Sequence, residues 1–182
     1  QNINIHNVPT TGASWTTAQS DPLHYAGIPA SEHMAQRDLE DMDKYKLKIN
    51  SVARQTGMPA AVIAGISSRE SRAGRLLNKG WGDGGNAFGI MQIDKRWHTP
   101  IGTWDSEEHF LQATRILIDM YQTVSRKYSG WTREQHLKGA IAAYNAGAGR
   151  IKSFEEVDSH TTGQDYSNDV VARAQFYARH GY

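Results

Sequence analysis

The chain has 182 residues, 20 Lys and Arg against 19 Asp and Glu, a net charge of +1 and no cysteine. A chain of this length buries roughly 70% of its unfolded surface as one compact domain, and so even a charge balance argues against a nucleic-acid footprint. The lack of cysteine excludes disulfides, thiol nucleophiles and Cys-based zinc sites, and no apolar run approaches the roughly 18 residues of a membrane span.

Residues 1 to about 30 are polar, with Thr10-Thr11-Gly12-Ala13-Ser14 and few periodic apolar positions. They predict an irregular arm packed on the domain, and no signal peptide is expected within them. Ser31 reads as the N-cap of a helix running to about Gln55, striped by Leu39, Met42, Tyr45, Ile49 and Val52. Arg37, Glu40, Asp43, Lys44 and Lys48 form its solvated face. Gly57-Met58-Pro59 breaks it, and Pro59 suits the first turn of the next helix.

That next helix, ending near Gly74, carries Glu70 on the same face as Ile63 and Ile66. Burying this face disfavours the ionised carboxylate, and a carboxyl kept protonated near neutral pH can serve as a general acid. The spacing leaves a second reading open, in which Glu70 pairs with Arg72 or Arg75 as a structural ion pair.

Gly80 to Asp94 follows, with five glycines among Trp, Phe, Ile and Met, which predicts a tight turn and one or two short strands. Asp83 and Asp94 bracket this hairpin. One such acid plus two carboxylates on a rigid Gly-rich hairpin suggests bond hydrolysis with an activated water. Beyond it, Asp105 with Glu108 resembles a capping box for a largely buried central helix from Glu107 to Tyr128. Thr132 with Gln135 opens another, through Leu137, Ala140, Ile141 and Tyr144, which Gly147 and Gly149 stop. Thr162 with Asp165 opens the last, striped by Tyr166, Val170, Ala174 and Tyr177. The fold class is mainly α, with a small Gly-rich β-hairpin, in one domain spanning residues 1–182.

Several patterns fail. Gly82-x-Gly84-x-x-Ala87 lacks the strand and helix of a dinucleotide fingerprint. Asp83 to Asp94 has the length of a calcium loop, but Gly85, Ala87 and Phe88 stand where ligands and the turn glycine belong. Asp94 and His98 alone are a weak metal pair. No metal and no cofactor are expected.

Glu70-Ser71-Arg72-Ala73-Gly74, Gly89-Ile90-Met91-Gln92 and Ala143-Tyr144-Asn145-Ala146-Gly147 together resemble the goose-type lysozymes and their relatives, the bacterial lytic transglycosylases. The goose-type likeness is the closer and covers nearly the whole chain, to Asp169-Val170-Val171-Ala172-Arg173-Ala174-Gln175 and Gly181-Tyr182. It implies a lysozyme-like fold and a secreted, antibacterial muramidase. Such an enzyme hydrolyses the β-1,4 bond between N-acetylmuramic acid and N-acetylglucosamine in peptidoglycan. Glu70 matches the family's general acid, while Asp83 and Asp94 match the aspartates that position water on the opposite sugar face. That arrangement implies inversion, with acid and base about 6.5–9.5 Å apart. His98, Tyr144, Asn145 and Tyr166 match residues lining the glycan cleft, with Gln92 and Ile93 offering backbone groups to an acetamido arm. Trp81 and Trp97 read as scaffold.

The resemblance implies peptidoglycan and N-acetylglucosamine oligomers as partners and a monomer in solution. It leaves two alternatives, a lytic transglycosylase or a catalytically silent peptidoglycan- or chitin-binding protein. The avian members' four cysteines are missing, with Trp15, Ala26 and Gly57 at some of their positions, which predicts a looser arm and leaves a cytoplasmic location open. Arg72 replaces the family's usual His two residues after the acid, a cation expected to lower the Glu70 pKa.

Overall fold

A computed structural model describes residues 3–182; Gln1 and Asn2 of the predicted arm lie outside the described residues. The arm is more ordered than its composition suggests. It holds a 3-10 turn at Ile5–Asn7 and a short helix α1 (Trp15–Ala18), whose N-cap Ser14 accepts a hydrogen bond from the Thr17 N–H. Side chains of a distant helix fasten it. Gln175 donates to the carbonyls of Ile5 and Val8, both at 3.0 Å, and the Asn168 amide oxygen accepts from the Thr11 N–H at 3.0 Å. The expected looseness therefore meets a set of long-range hydrogen bonds.

The single helix expected from Ser31 to Gln55 is two helices, α2 (Ile28–Asp43) and α3 (Lys46–Thr56). The chain turns at Lys44 and Tyr45, where the Tyr45 ring packs against Phe110 with centroids 5.9 Å apart. Gly27 is the N-cap of α2. Ser31 lies inside the helix, fully buried, and is used across the molecule: its hydroxyl accepts from the Ala13 N–H and donates to Asp169. Gly57 ends α3 in the left-handed conformation (φ +81°) that its lack of a side chain permits.

Helix α4 (Ala60–Ser71) is buried all round from Ala61 to Ser68, the signature of a helix inside a core rather than on its surface. It takes the central place expected for the Glu107–Tyr128 segment. That segment forms α5 (Glu107–Lys127), which is amphipathic, with His109, Phe110, Ala113, Leu117 and Val124 inward and Arg115, Asp119 and Arg126 exposed. Its cap is Ser106, which accepts from the His109 N–H, and not Asp105.

Between α4 and α5 lies a three-stranded antiparallel sheet in the order β1 (Trp81–Gly82), β2 (Ala87–Phe88), β3 (Ile93–Asp94). Trp81 pairs with Phe88 and Ala87 with Asp94, one strand more than the predicted hairpin. The predicted capping box is present at the start of α6 (Arg133–Ala146), with Thr132 and Gln135 exchanging side-chain and backbone bonds. The last helix, α7 (Tyr166–Ala178), begins after Thr162–Gln164, which form a 3-10 turn. Among the described residues no helix is long and apolar enough to cross a membrane.

Helices α4 and α7 meet closely at Gly65, where an added Cβ would stand 2.9 Å from the Val170 carbonyl oxygen and 3.2 Å from the Ala174 nitrogen. Helix propensity alone favours Ala over Gly by up to about 1 kcal/mol. Here the clash is with backbone, so Gly65→Ala should destabilise the fold, by about 1–3 kcal/mol as in other overpacked cores. Urea unfolding of the two proteins checks the sign.

Candidate active-site cleft

Glu70 sits in the last turn of α4, where the buried helix reaches the surface of a cleft. The chain then leaves the helix through Arg72, Ala73 and Gly74, all at positive φ. The Glu70 Oε2 accepts a hydrogen bond from the Tyr166 hydroxyl at 2.7 Å. Burial pushes its pKa up from 4.5 to about 7; the Tyr166 hydrogen bond and the charge of Arg69 oppose the rise, and the charge of Asp83 adds to it. At neutral pH a substantial fraction of Glu70 is therefore a carboxylic acid, able to give up a proton.

The arginines beside it in sequence are all engaged elsewhere. Arg69 stacks over the Tyr166 ring at 5.2 Å and pairs with Asp165 (3.1 Å) and Asp169 (2.8 Å). Arg72 binds Asp38 at 2.9 Å and also Asp21, while Arg75 binds Asp38 (2.7 Å) and Asp41 (2.9 Å). The structural ion pair with Arg72 or Arg75 that the spacing left open is absent. So is the expected influence of Arg72 on the acid: the cation that acts on Glu70 is Arg69.

A cleft of about 690 Å³ opens over Glu70 and is lined by Asp83, Gln92, Ile93, Asp94, His98, Tyr144 and Asn145 as well. Eight of the nine residues singled out in the sequence thus meet in one place. The ninth, Tyr166, is not part of the wall. It is fully buried behind Glu70, and its hydroxyl serves the carboxyl.

Asp83 and Gln92 both hold left-handed backbone, at φ +51° and +56°, a conformation that costs a non-glycine residue about 1–3 kcal/mol. Gly84 and Gly85 beside Asp83 share that conformation and bring the turn round. Gln92 folds back on the sheet, donating to the carbonyls of Gly89 (2.9 Å) and Ala87 (3.3 Å), and occupies the space that a Cβ on Gly82 would need. Asp94 is held by Arg96 through two side-chain bonds, 2.9 and 2.7 Å, and by the Arg96 N–H at 2.9 Å. These bonds hold its pKa at about 2, with the Arg96 side chain the largest cause, so Asp94 is an anion at any working pH.

Two of the presumed donors are already committed. The Tyr144 hydroxyl donates to the Met91 carbonyl at 2.7 Å. Asn145 exchanges two bonds with Thr162, accepting from its N–H at 2.9 Å and donating to its hydroxyl at 3.2 Å. Sequence reasoning missed Arg96, Thr162, and Ile116 and Met120 of α5, all on the cleft wall. It also set Trp97 aside as scaffold, whereas the indole is 80% exposed and lines the cleft. Trp81 packs on Phe88 as a scaffold residue should, with centroids 4.9 Å apart. Among the described residues no three His, Asp or Glu side chains gather as a cation site.

Residues 3–181 match the family model described as Lysozyme g. The chain is 53% identical to Lysozyme G of Dromaius novaehollandiae over 178 residues, covering 98% of this chain and 87% of that one. It is 54% identical to Lysozyme g of Gallus gallus over 178 residues, covering 98% and 84%. With Lysozyme g of the fish Epinephelus coioides it shares 52% over 184 residues, covering 96% and 95%.

A pKa raised from 4.5 to about 7 means that the folded state binds more protons than the unfolded state between those values. The Glu70 contribution to stability should therefore fall as pH rises from about 4.5 to about 7 and level off above. Glu70→Gln abolishes this fall. Melting curves should show the variant close to wild type at pH 4 and more stable at pH 8, by on the order of 1–3 kcal/mol. Tyr166→Phe removes a bond that favours the anion, so the Glu70 midpoint should move above 7, as read by carbon NMR of its carboxyl.

Proposed function

The chain belongs to the lysozyme g family and is a muramidase that degrades the bacterial cell wall; we propose that Glu70 is its general acid and that Asp83 and Asp94 hold and activate the water. The observation that carries this reading is Glu70's position in the cleft floor, desolvated, unpaired with any cation, and half-protonated near pH 7. Glu70 gives its proton to the glycosidic oxygen as the bond to the departing sugar lengthens. Positive charge then develops at the anomeric carbon, on the far side of which a water has to lose a proton.

Asp94 suits that second task because Arg96 keeps it ionised and, while taking both lone pairs of Oδ1, leaves one on Oδ2 for a water. Asp83 lies close enough to Glu70 for its charge to raise the acid's pKa. A carboxylate so placed helps to keep Glu70 protonated and favours the cationic transition state. Attack by water from the opposite face inverts the anomeric centre. His98, Gln92 and Ile93 border the same space and would meet the acetamido arms. Tyr144 and Asn145 hold the wall, and Tyr166 tunes the acid. We further read residues 1–182 as a single catalytic domain, secreted and monomeric, with peptidoglycan and N-acetylglucosamine oligomers as its partners and no cofactor.

Glu70→Gln should cut turnover of purified peptidoglycan by on the order of 10²–10⁴ with folding preserved; a variant keeping most of its activity removes Glu70 from the reaction. Asp83→Asn and Asp94→Asn should each cost less. The double variant should lose less than the product of the two, because the residues share one water; strict multiplicativity would separate their roles. Proton NMR of the first-formed product should show the α-anomer, whereas the β-anomer or an anhydro ring would exclude inversion by water.

A further inference from the structure

Trp97 is the cleft's least explained residue. Three other indoles are occupied: Trp131 stacks on Tyr128 at 4.2 Å, Trp81 meets Phe88, and Trp104 fills the space beside Gly74 and Gly80, while Trp15, 55% exposed, lies away from the cleft lining. Among the described residues Trp97 has no aromatic partner, and 80% of it faces solvent. Leaving so large an apolar surface in water forgoes the stabilisation that burial would bring.

The backbone beneath it is rigid all the same. The Asp94 carbonyl accepts from the N–H groups of both Trp97 (3.2 Å) and His98 (3.1 Å), and the Asp94 carboxylate is clamped by Arg96. The indole therefore lines the cleft from a held backbone. Ile116 and Met120 of α5 line the same cleft and add apolar wall to it. Glu70 lies half-buried in the floor, whereas the exposure of Trp97 puts it at the rim.

Resting on the reading of this cleft as the glycan site, we propose that Trp97 is a stacking platform for a pyranose ring of the glycan outside the pair joined by the scissile bond. The C–H face of a sugar ring is apolar and its edge is polar. A flat, solvent-facing indole on a held backbone matches such a face, with only two side-chain torsions to order, and the flanking polar groups are left for the ring's hydroxyls. Trp97 thereby makes this enzyme prefer long glycan strands over short fragments, through binding rather than through the chemical step.

The test uses the Glu70→Gln protein as a silent background and N-acetylglucosamine oligomers of two to six units as probes. Titration calorimetry should show that adding Trp97→Ala weakens hexamer binding about tenfold, equivalent to about 1.4 kcal/mol. Dimer binding should change less than twofold, and Trp97→Phe should restore most of the hexamer affinity. In the active protein, Trp97→Ala should raise KM for the hexamer more than it lowers kcat. Equal affinities with and without the indole, an equal loss at every length, or a loss confined to kcat would each overturn the platform. Turnover by Glu70→Gln would instead refute the acid assignment, and the KM comparison in the active protein would still decide the role of Trp97.

Discussion

Everything in the cleft depends on one desolvated carboxyl. Glu70 lies in the last turn of a helix buried on every side from Ala61 to Ser68, and the loss of water there is what raises its pKa to about 7. A buried carboxylate within reach of an unpaired guanidinium would instead ionise and form an ion pair. Arg69 and Arg72 lie one and two residues away, so the rest of the fold has to hold their charges elsewhere. Asp165 and Asp169 take Arg69, and Asp38 and Asp21 take Arg72. Ser68, Ser31 and Arg173 join these acids into a buried polar layer between α2, α4 and α7. Removing one member of such a layer leaves a charge without its partner, which is far costlier than the net worth of an intact pair. The layer serves the acid by keeping its neighbours occupied.

The opposite wall is held by a second device. The carbonyls of Ile90 and Met91 accept from Ser71 of α4 (2.7 Å) and Tyr144 of α6 (2.7 Å), while the Met91 N–H donates to the His109 imidazole of α5 (2.9 Å). That imidazole is buried, and desolvation lowers its pKa to about 4, so it stays neutral and keeps an acceptor nitrogen for Met91. Three helices thus grip the turn between β2 and β3 of a sheet whose strands are only two residues long. A sheet this small has little stability of its own. Its grip on the helices is what allows Asp83 and Gln92 to sit in strained conformations at fixed places across from Glu70.

How much of this was legible in the sequence depended on how local the cause was. The capping box at Thr132 and the glycine stop at Gly57 are written within a few residues, and both appear as expected. The apolar face carrying Glu70 was also readable, because Ile63, Ile66 and Glu70 recur at helical spacing. The break at Lys44 and Tyr45 was not, since neither Gly nor Pro marks it and the apolar stripe runs straight through. Ser31 looked like a cap by its type, yet its hydroxyl bonds residues 18 and 138 positions away. Arg72 looked poised to act on Glu70 because it is two residues on. The left-handed turn that begins at Arg72 instead carries it to Asp38, and no local pattern announces that turn at a non-glycine residue. Trp97 was misjudged for a related reason: tryptophan is more often buried than displayed, and only the tertiary structure shows which.

The absence of cysteine bears on the same electrostatics. With no disulfide available, the arm is tied to α7 and its approach by hydrogen bonds and by the burial of Ile5 and Val8 in the core. One of these runs from the Ser14 N–H to Asp165 Oδ2 at 2.8 Å, while the other oxygen of Asp165 holds Arg69. The arm and the acid therefore draw on one carboxylate. Arg69 in turn lies over the Tyr166 ring, and its charge acts on Glu70. A disulfide would have secured the arm with no bearing on Glu70. Hydrogen bonds secure it partly through the carboxylate that also holds Arg69, so in this chain the arm and the cation that acts on the acid share one partner.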